Sequence, residues 1–293
     1  MTRGAARVTA HAKINLGLRI LAREAGGYHS IETVFARIAL GDVVTVRVGG
    51  AGRSLDCVGG DAGPVERNLA WRAAVAYAEA TRWPAGFAIE IEKCVPVGGG
   101  LGGGSADAGA VLRALAALAP RAPSEGELLR LAMSLGSDVP YLTTEAPLAL
   151  AWGRGERMLA LPSLPARHVA LVVPDFAVST ADAYAWLAAS RGAWSPEPAL
   201  FGAATFASWE TLAPCVTNDF EEPVGYRHPE LAPIVREVRR AGARIACMSG
   251  SGSTVFGIFD APPDAAALEG RLPGTRVVAT TTLERVTGVE RIE

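Results

Sequence analysis

Residues 96–108 read Pro96-Val97-Gly98-Gly99-Gly100-Leu101-Gly102-Gly103-Gly104-Ser105-Ala106-Asp107-Ala108. Glycine loses more backbone freedom on folding than any other residue, so a run this dense is kept where backbone must approach something closely or adopt positive φ. An apolar helical stretch follows, Ala108 to Leu118, with Val111, Leu112, Leu115 and Leu118 at helical spacing. A glycine arch feeding a helix N-terminus aims free N–H groups and the positive end of the helix dipole at one point. That point suits phosphate.

Two familiar phosphate loops can be weighed against it. The Walker pattern needs Gly-Lys-Ser/Thr at the end of the loop; no lysine stands there, which excludes a P-loop. The dinucleotide pattern G-x-G-x-x-G matches at Gly98, Gly100 and Gly103, behind a strand in which Phe87, Ile89 and Ile91 alternate with polar or small residues. In glycine-rich sequence that match is nearly automatic. The acidic residue required about 20 positions on is replaced by a loop, Ala119-Pro-Arg-Ala-Pro-Ser-Glu125. A plain glycine-rich surface turn is the bland alternative, and the helix behind the arch argues against it.

At 293 residues the chain can bury roughly three quarters of its unfolded surface and is long enough for two domains. Hydrophobic residues make up 49% and charged residues 20%, with a net charge of -2, so no electrostatic footprint for nucleic acid exists. The N-terminal Met-Thr-Arg-Gly-Ala-Ala-Arg has no signal-peptide character, and no apolar segment is long enough for a bilayer; a cytoplasmic location is expected. Cys57, Cys94, Cys215 and Cys247 lie far apart and read as buried free thiols, and the four histidines lack metal-ligand spacing. Lys13 and Lys93 are the only lysines.

The first strand places Ile14, Leu16, Leu18 and Ile20 on one face and Lys13 and Asn15 on the other. Strands over 31–40 and 43–48, a helix over 68–82, the 87–91 strand and the arch with its helix come next. Ser124-x-x-Glu127 opens a helix that Gly136 stops, and residues 148–161 read as a hairpin. Rising proline density places a domain boundary at Pro162, giving units 1–162 and 163–293. The second half repeats the mixture: strands over 169–173 and 255–259, helices over 180–187 and 229–241, and the small-residue run Ser249-Gly-Ser-Gly-Ser253. Strands leading the first half, with helices interleaved irregularly, predict an α+β fold.

Three groups of residues could carry chemistry. Lys13 alone reads as a solvated strand lysine, unless its face lines a cleft. Asp138, after the Gly136 stop, could satisfy local N–H groups or serve as a carboxylate held between apolar flanks. Tyr28 and His29 in a turn offer a ring and an imidazole that a nucleobase pocket would use, and Tyr184 is a second candidate ring; core positions are the alternative.

The chain resembles the GHMP kinase superfamily. The matching segments are Ala12-Lys-Ile-Asn-Leu-x-Leu18, Gly27-Tyr-His29, Glu32-Thr-Val-Phe35, Pro96 through Ala108, Leu135-Gly-Ser-Asp-Val-Pro140, Val178-Ser-Thr180, Asn218-Asp219 and Ser249–Ser253. The arch alone indicates the superfamily; Lys-Ile-Asn, Gly-Tyr-His and Leu-Gly-x-Asp-Val-Pro indicate the branch that phosphorylates a cytidine-diphosphate sugar alcohol in non-mevalonate isoprenoid synthesis. The resemblance implies a two-domain α+β fold with the active-site cleft between the domains, ATP with Mg2+, and a monomer or weak homodimer with no nucleic-acid or membrane partner. It implies Asp138 as general base with Lys13 beside it. Pro96, Gly98, Gly99, Gly100, Leu101, Gly102, Gly103, Gly104 and Ser105 would hold the ATP phosphates, with Asn68 near the adenine. Tyr28, His29 and Tyr184 would take the cytosine, and Asn15 and Thr180 the methylerythritol part. Family members usually have a second serine where this chain has Ala106, which leaves the metal ligands unassigned. Alternatives are a GHMP kinase with a mevalonate, homoserine or sugar acceptor, a non-catalytic nucleotide-binding module and, more remotely, an NAD-dependent oxidoreductase.

Overall fold

The computed structural model describes residues 4–23, 29–60, 63–191 and 201–292. Its elements run β1 (Gly4–Arg23), β2 (His29–Val48), β3 (Arg53–Val58), α1 (Leu69–Thr81), β4 (Phe87–Glu92), α2 (Gly103–Leu118), α3 (Glu125–Leu135), α4 (Val139–Thr143), β5 (Leu148–Gly153) and β6 (Arg157–Ala160). The second half continues with β7 (His168–Pro174), α5 (Thr180–Arg191), α6 (Trp209–Leu212), β8 (Thr217–Asn218), α7 (Glu221–Arg227), α8 (Leu231–Arg240), β9 (Ile245–Met248), β10 (Val255–Phe259), α9 (Ala265–Gly270), β11 (Thr275–Thr281) and β12 (Glu290–Ile292).

Two sheets carry the fold. In the first, β12-β1-β2-β4-β3 lie side by side, β5 and β6 extend from β2, and β8 adds to β1; the second runs β11-β7-β10-β9. The arrangement is α+β, as the sequence predicts. The sheet changes between β6 and β7, but β8 and β12 return from the second half to the first sheet, so the two halves are stitched together.

Apolar cores pack against both sheets. On one side of the first, Val8, Val44, Val46 and Ile89 pack with Ala74, Val111 and Leu115 of α1 and α2. Between the sheets, Ile14, Leu16 and Ile38 meet Val169, Leu171, Phe256 and Ile258. The alternate residues of β7, Ala170 and Val172, face a third core with Ala183, Val224 and Val238 from α5, α7 and α8. The layers are helices, sheet, sheet, helices, which explains apolar runs on β7 and β10 without polar alternation.

The expected strands over 31–40 and 43–48 are one 20-residue strand, β2, paired along a 20-residue β1. The register shifts between His11 and Lys13. Before the shift, Ala6, Val8 and Ala10 face the α1–α2 core; after it, Ala12, Ile14 and Leu16 face the core between the sheets. The pairing skips two residues of β2 at this irregularity, where the side chains that follow on β1 change core. Lys13 and Asn15 thereby come to the side where α2 and the arch lie.

The capping box appears as predicted: Ser124 accepts from the Glu127 N–H, and Glu127 accepts from the Ser124 N–H. The thiols depart from expectation, since only Cys247 is buried and Cys94 is exposed. Among the described residues no helix is long and apolar enough to cross a membrane.

His11 is a buried imidazole whose Nε2 meets Thr287 Oγ1 at 3.0 Å. Burial, then the neighbouring Arg37 charge, pushes its pKa down to about 4. A depressed histidine pKa means the unfolded chain takes the proton first. The contribution is present above pH 6.5 and lost as pH falls towards 4. In thermal melts across that window, the wild type is expected to lose more stability on acidification than His11→Gln.

Candidate active site

Every second residue from Gly98 to Gly102 is left-handed, with φ of 76° at Gly98, 75° at Gly100 and 73° at Gly102. Gly102 is also the N-cap of α2, which begins at Gly103, five residues earlier than the apolar periodicity predicts. Helix geometry leaves the N–H groups of Gly103, Gly104 and Ser105 without intrahelical acceptors. These residues line a cavity of about 370 Å³ together with Pro96, Asn68 and Lys93. Asn68 caps α1, its Oδ1 accepting from Ala70 N–H at 2.9 Å. Leu101 turns its side chain into the core between the sheets, and its carbonyl accepts from Lys13 N–H at 3.0 Å.

The second-half run Ser249–Ser253 lies against this arch. Ser249 Oγ donates to the Gly100 carbonyl at 3.0 Å, and the Thr254 N–H donates to the Gly99 carbonyl at 3.3 Å. A Cβ on Gly100 would overlap the Ser249 carbonyl. The seam between the halves is thus backbone against backbone.

Lys93 anchors the arch from behind. Its ammonium pairs with Asp42 and with Asp107 Oδ2, the latter at 2.8 Å. Asp42 Oδ1 also accepts from the N–H groups of Cys94 and Val95 at 2.6 and 2.8 Å. The triad therefore ties the entry of the arch to the start of the second turn of α2. Burial raises the Asp107 carboxyl to about 7 against the pull of Lys93. Sequence reasoning left Lys93 without a role and missed Asp42; the scarcity of lysine was the available signal.

Lys13 is not solvated: it is 3% exposed. Its Nζ donates to Asn15 Oδ1 at 2.6 Å and to the Gly100 carbonyl at 2.9 Å, and lies 3.3 Å from Asp138 Oδ2. Asp138 is the N-cap of α4 but makes no side-chain cap bond, so the local-turn reading does not hold. Its carboxylate stays 30% exposed and faces a cavity of about 680 Å³. Helix α4 is fixed from its other end by Arg37, a buried guanidinium that donates to the carbonyls of Tyr141 and Thr144 at 2.9 and 3.0 Å. Burial lowers the Arg37 pKa to about 10. Nothing in the sequence pattern marked Arg37.

Residues of both halves line the 680 Å³ cavity: Lys13, Asn15, His29 and Asp138 from the first, Thr180 and Tyr184 from the second. It adjoins the phosphate cavity through Gly98, Gly100 and Gly102, which line both. His29 stacks on Tyr184 with centroids 4.5 Å apart and planes 18° from parallel, and Phe220 meets Tyr184 edge-on. Burial, with the Asp138 charge, raises the Tyr184 hydroxyl to about 12. Thr180 Oγ1 lies 3.1 Å from Ser251 Oγ. Tyr28 lies outside the described residues. Arg154, in the β5–β6 turn, lines the same cavity and was not anticipated. A further cavity of about 770 Å³ is lined by Asp219, Glu221 and Glu222, carboxylates that would repel a nucleotide's phosphates.

The chain matches two family models, GHMP kinases N terminal domain over residues 68–145 and GHMP kinases C terminal over 197–275. It belongs to the GHMP kinases. Two relatives named 4-diphosphocytidyl-2-C-methyl-D-erythritol kinase narrow this. The one from Solibacter usitatus (strain Ellin6076) is 39% identical over 259 residues, 87% of this chain and 81% of the relative. The one from Pelotomaculum thermopropionicum is 40% identical over 251 residues, 85% of this chain and 87% of the relative. A solved structure of 4-(cytidine 5'-diphospho)-2C-methyl-D-erythritol kinase superposes with a TM-score of 0.77 at 37% identity, covering 94% of this chain and 98% of that one. Within the GHMP kinases the chain thus belongs to the 4-diphosphocytidyl-2-C-methyl-D-erythritol kinase family. A homoserine kinase from Cytophaga hutchinsonii, 17% identical with a TM-score of 0.69 and covering 98% of this chain and 97% of that one, shares the fold.

Gly98→Ala and Gly100→Ala test the seam. Both force a side chain into left-handed backbone, costing about 1–2 kcal/mol. Only position 100 adds an overlap with neighbouring backbone, while nothing lies within 4 Å of a Cβ at Gly98. In urea unfolding, Gly100→Ala is expected to lose about 1–3 kcal/mol more than Gly98→Ala.

Proposed function

We propose that this chain transfers the γ-phosphoryl group of ATP to the tertiary hydroxyl of 4-diphosphocytidyl-2-C-methyl-D-erythritol, with Asp138 as the base and Lys13 as the charge stabiliser. The observation that carries the assignment is the 3.3 Å pair of Lys13 and Asp138 where the phosphate cavity opens into the acceptor cavity. Phosphoryl transfer asks a protein chiefly for alignment and for compensation of charge.

The arch Pro96–Ser105 would receive the triphosphate on its N–H groups and the α2 dipole, with Asn68 beside the purine. The acceptor would lie across the 680 Å³ cavity, its cytosine on the His29 and Tyr184 rings and its sugar alcohol near Asn15 and Thr180. The resemblance also gives Tyr28 to the cytosine. Arg154 supplies a guanidinium for the acceptor's own diphosphate. Asp138 takes the hydroxyl proton, the hydroxyl oxygen bonds to the γ-phosphorus, and the bond to the β–γ bridging oxygen breaks, releasing ADP. Lys13 offsets charge on the transferring group.

Mg2+ would arrive on ATP. Among the described residues no group of three or more His, Cys, Asp or Glu could hold a metal, so phosphate oxygens would supply most of its ligands. Ser105 and Asp107, whose Oδ1 is buried without a hydrogen-bond partner among the described residues, offer protein oxygens in that cavity. The division into an ATP-binding unit 1–162 and a C-terminal unit 163–293 fits a cleft lined by both.

Asp138→Asn keeps the shape and removes the base; kcat is expected to fall about 10²–10⁴-fold while ATP affinity, by calorimetry, stays within about twofold. Near-normal kcat would remove Asp138 from the role. Tyr184→Ala is expected to raise KM for the cytidine acceptor about 5- to 100-fold, as the loss of a stacking ring implies. A rise in KM for ATP instead would mean that the two nucleotide sites are exchanged.

A further inference from the structure

We infer that Thr33 is a positioning residue for catalysis, setting the orientation of Lys13 through Asn15; the inference rests on the kinase reading above. Thr33 is a β2 residue, 1% exposed, and lines neither the phosphate cavity nor the acceptor cavity. Its hydroxyl donates its one proton to the Gly17 carbonyl at 2.6 Å. A carbonyl cannot donate in return, so the hydroxyl oxygen has only acceptor capacity left. At 2.8 Å from it stands Asn15 Nδ2. The amide is therefore held with its NH2 towards Thr33 and its oxygen towards Lys13 Nζ, 2.6 Å away.

That direction matters because an ammonium has three protons and no acceptor. Lys13 Nζ faces three acceptors: Asn15 Oδ1, the Gly100 carbonyl and Asp138 Oδ2. Hydrogen bonds to Asn15 and Gly100, with the ion pair to Asp138, hold the ammonium between the carboxylate and the arch. Without the Thr33 hydroxyl, Asn15 Nδ2 is a buried donor lacking this acceptor, and the amide can turn its NH2 towards the ammonium. Two groups that only donate would then face each other, and Lys13 would shift. A misplacement of about 1 Å at reacting groups can cost about 10²-fold in rate.

The test compares Thr33→Val and Thr33→Ser, each alone and combined with Lys13→Met, in steady-state phosphorylation of the cytidine acceptor. Thr33→Val keeps the branched shape and is expected to lower kcat about 10- to 100-fold with KM for ATP within about twofold. Thr33→Ser restores the hydroxyl and is expected to recover at least about half of kcat. In the Lys13→Met background, Thr33→Val is expected to cost nothing further, because the group it orients is gone. A kcat for Thr33→Val within about twofold of wild type overturns the inference, as does an equal loss in both backgrounds, which would mark a merely structural role. Circular dichroism checks folding; should the valine variant not fold, Thr33→Ala takes its place in the same comparison. A wild-type enzyme inactive on the cytidine acceptor overturns the kinase reading itself, and the relay with it, before any variant is made.

Discussion

One ammonium group, Lys13 Nζ, belongs to a residue that is only 3% exposed. Removing such a charge from water costs several kcal/mol, and it is tolerated only when partners surround it. Here the partners come from three places in the chain: Asn15 on the same strand, the Gly100 carbonyl on the arch, which also accepts from Ser249, and Asp138 at the start of α4. The electrostatic requirement of one lysine thus brings together the phosphate loop, the carboxylate and the seam between the halves. Asp138 is the partner that carries the opposite charge; deleting it would leave the ammonium with neutral acceptors alone.

The supporting shell works through backbone. Arg37 grips the carbonyls at the far end of α4, and Asp42 accepts the N–H groups where the chain enters the arch. Helix α2 comes so close to α4 that a Cβ on Gly109 would stand 2.5 Å from the Leu142 carbonyl. These contacts set positions of main chain, and the chemical groups follow from them. Such mounts suit phosphoryl transfer, in which alignment supplies most of the protein's contribution.

Much of this was legible in the sequence, and the physical reasons are specific. The glycine arch announced itself because positive φ and close approach demand glycine, and all three left-handed positions of its first half carry one. The Ser124 box and the β10 strand follow local rules and appear where those rules put them. On alternation alone Lys13 reads as solvated, because alternation cannot reveal what covers a polar face; the register shift before it and the arch across from it are tertiary facts. The joining of 31–40 to 43–48 was missed because Gly41-Asp42 looks like a turn, whereas Asp42 is buried to receive Lys93 and the Cys94 and Val95 amides. Arg37 had no readable signal: a buried arginine serving carbonyls, with no carboxylate in its hydrogen-bond set, leaves no spacing pattern. The family motifs, by contrast, carried Asp138 and Lys13 together before any coordinates did.

The central claim is that the Lys13–Asp138 pair is the point where two substrates meet. A crystal structure with a non-hydrolysable ATP analogue and the cytidine acceptor bound together tests it most directly. The account predicts the acceptor's tertiary hydroxyl within about 2.6–3.2 Å of an Asp138 carboxylate oxygen and in line with the γ-phosphorus held by the arch. An acceptor hydroxyl far from Asp138, or a triphosphate bound away from Gly98–Ser105, would contradict it.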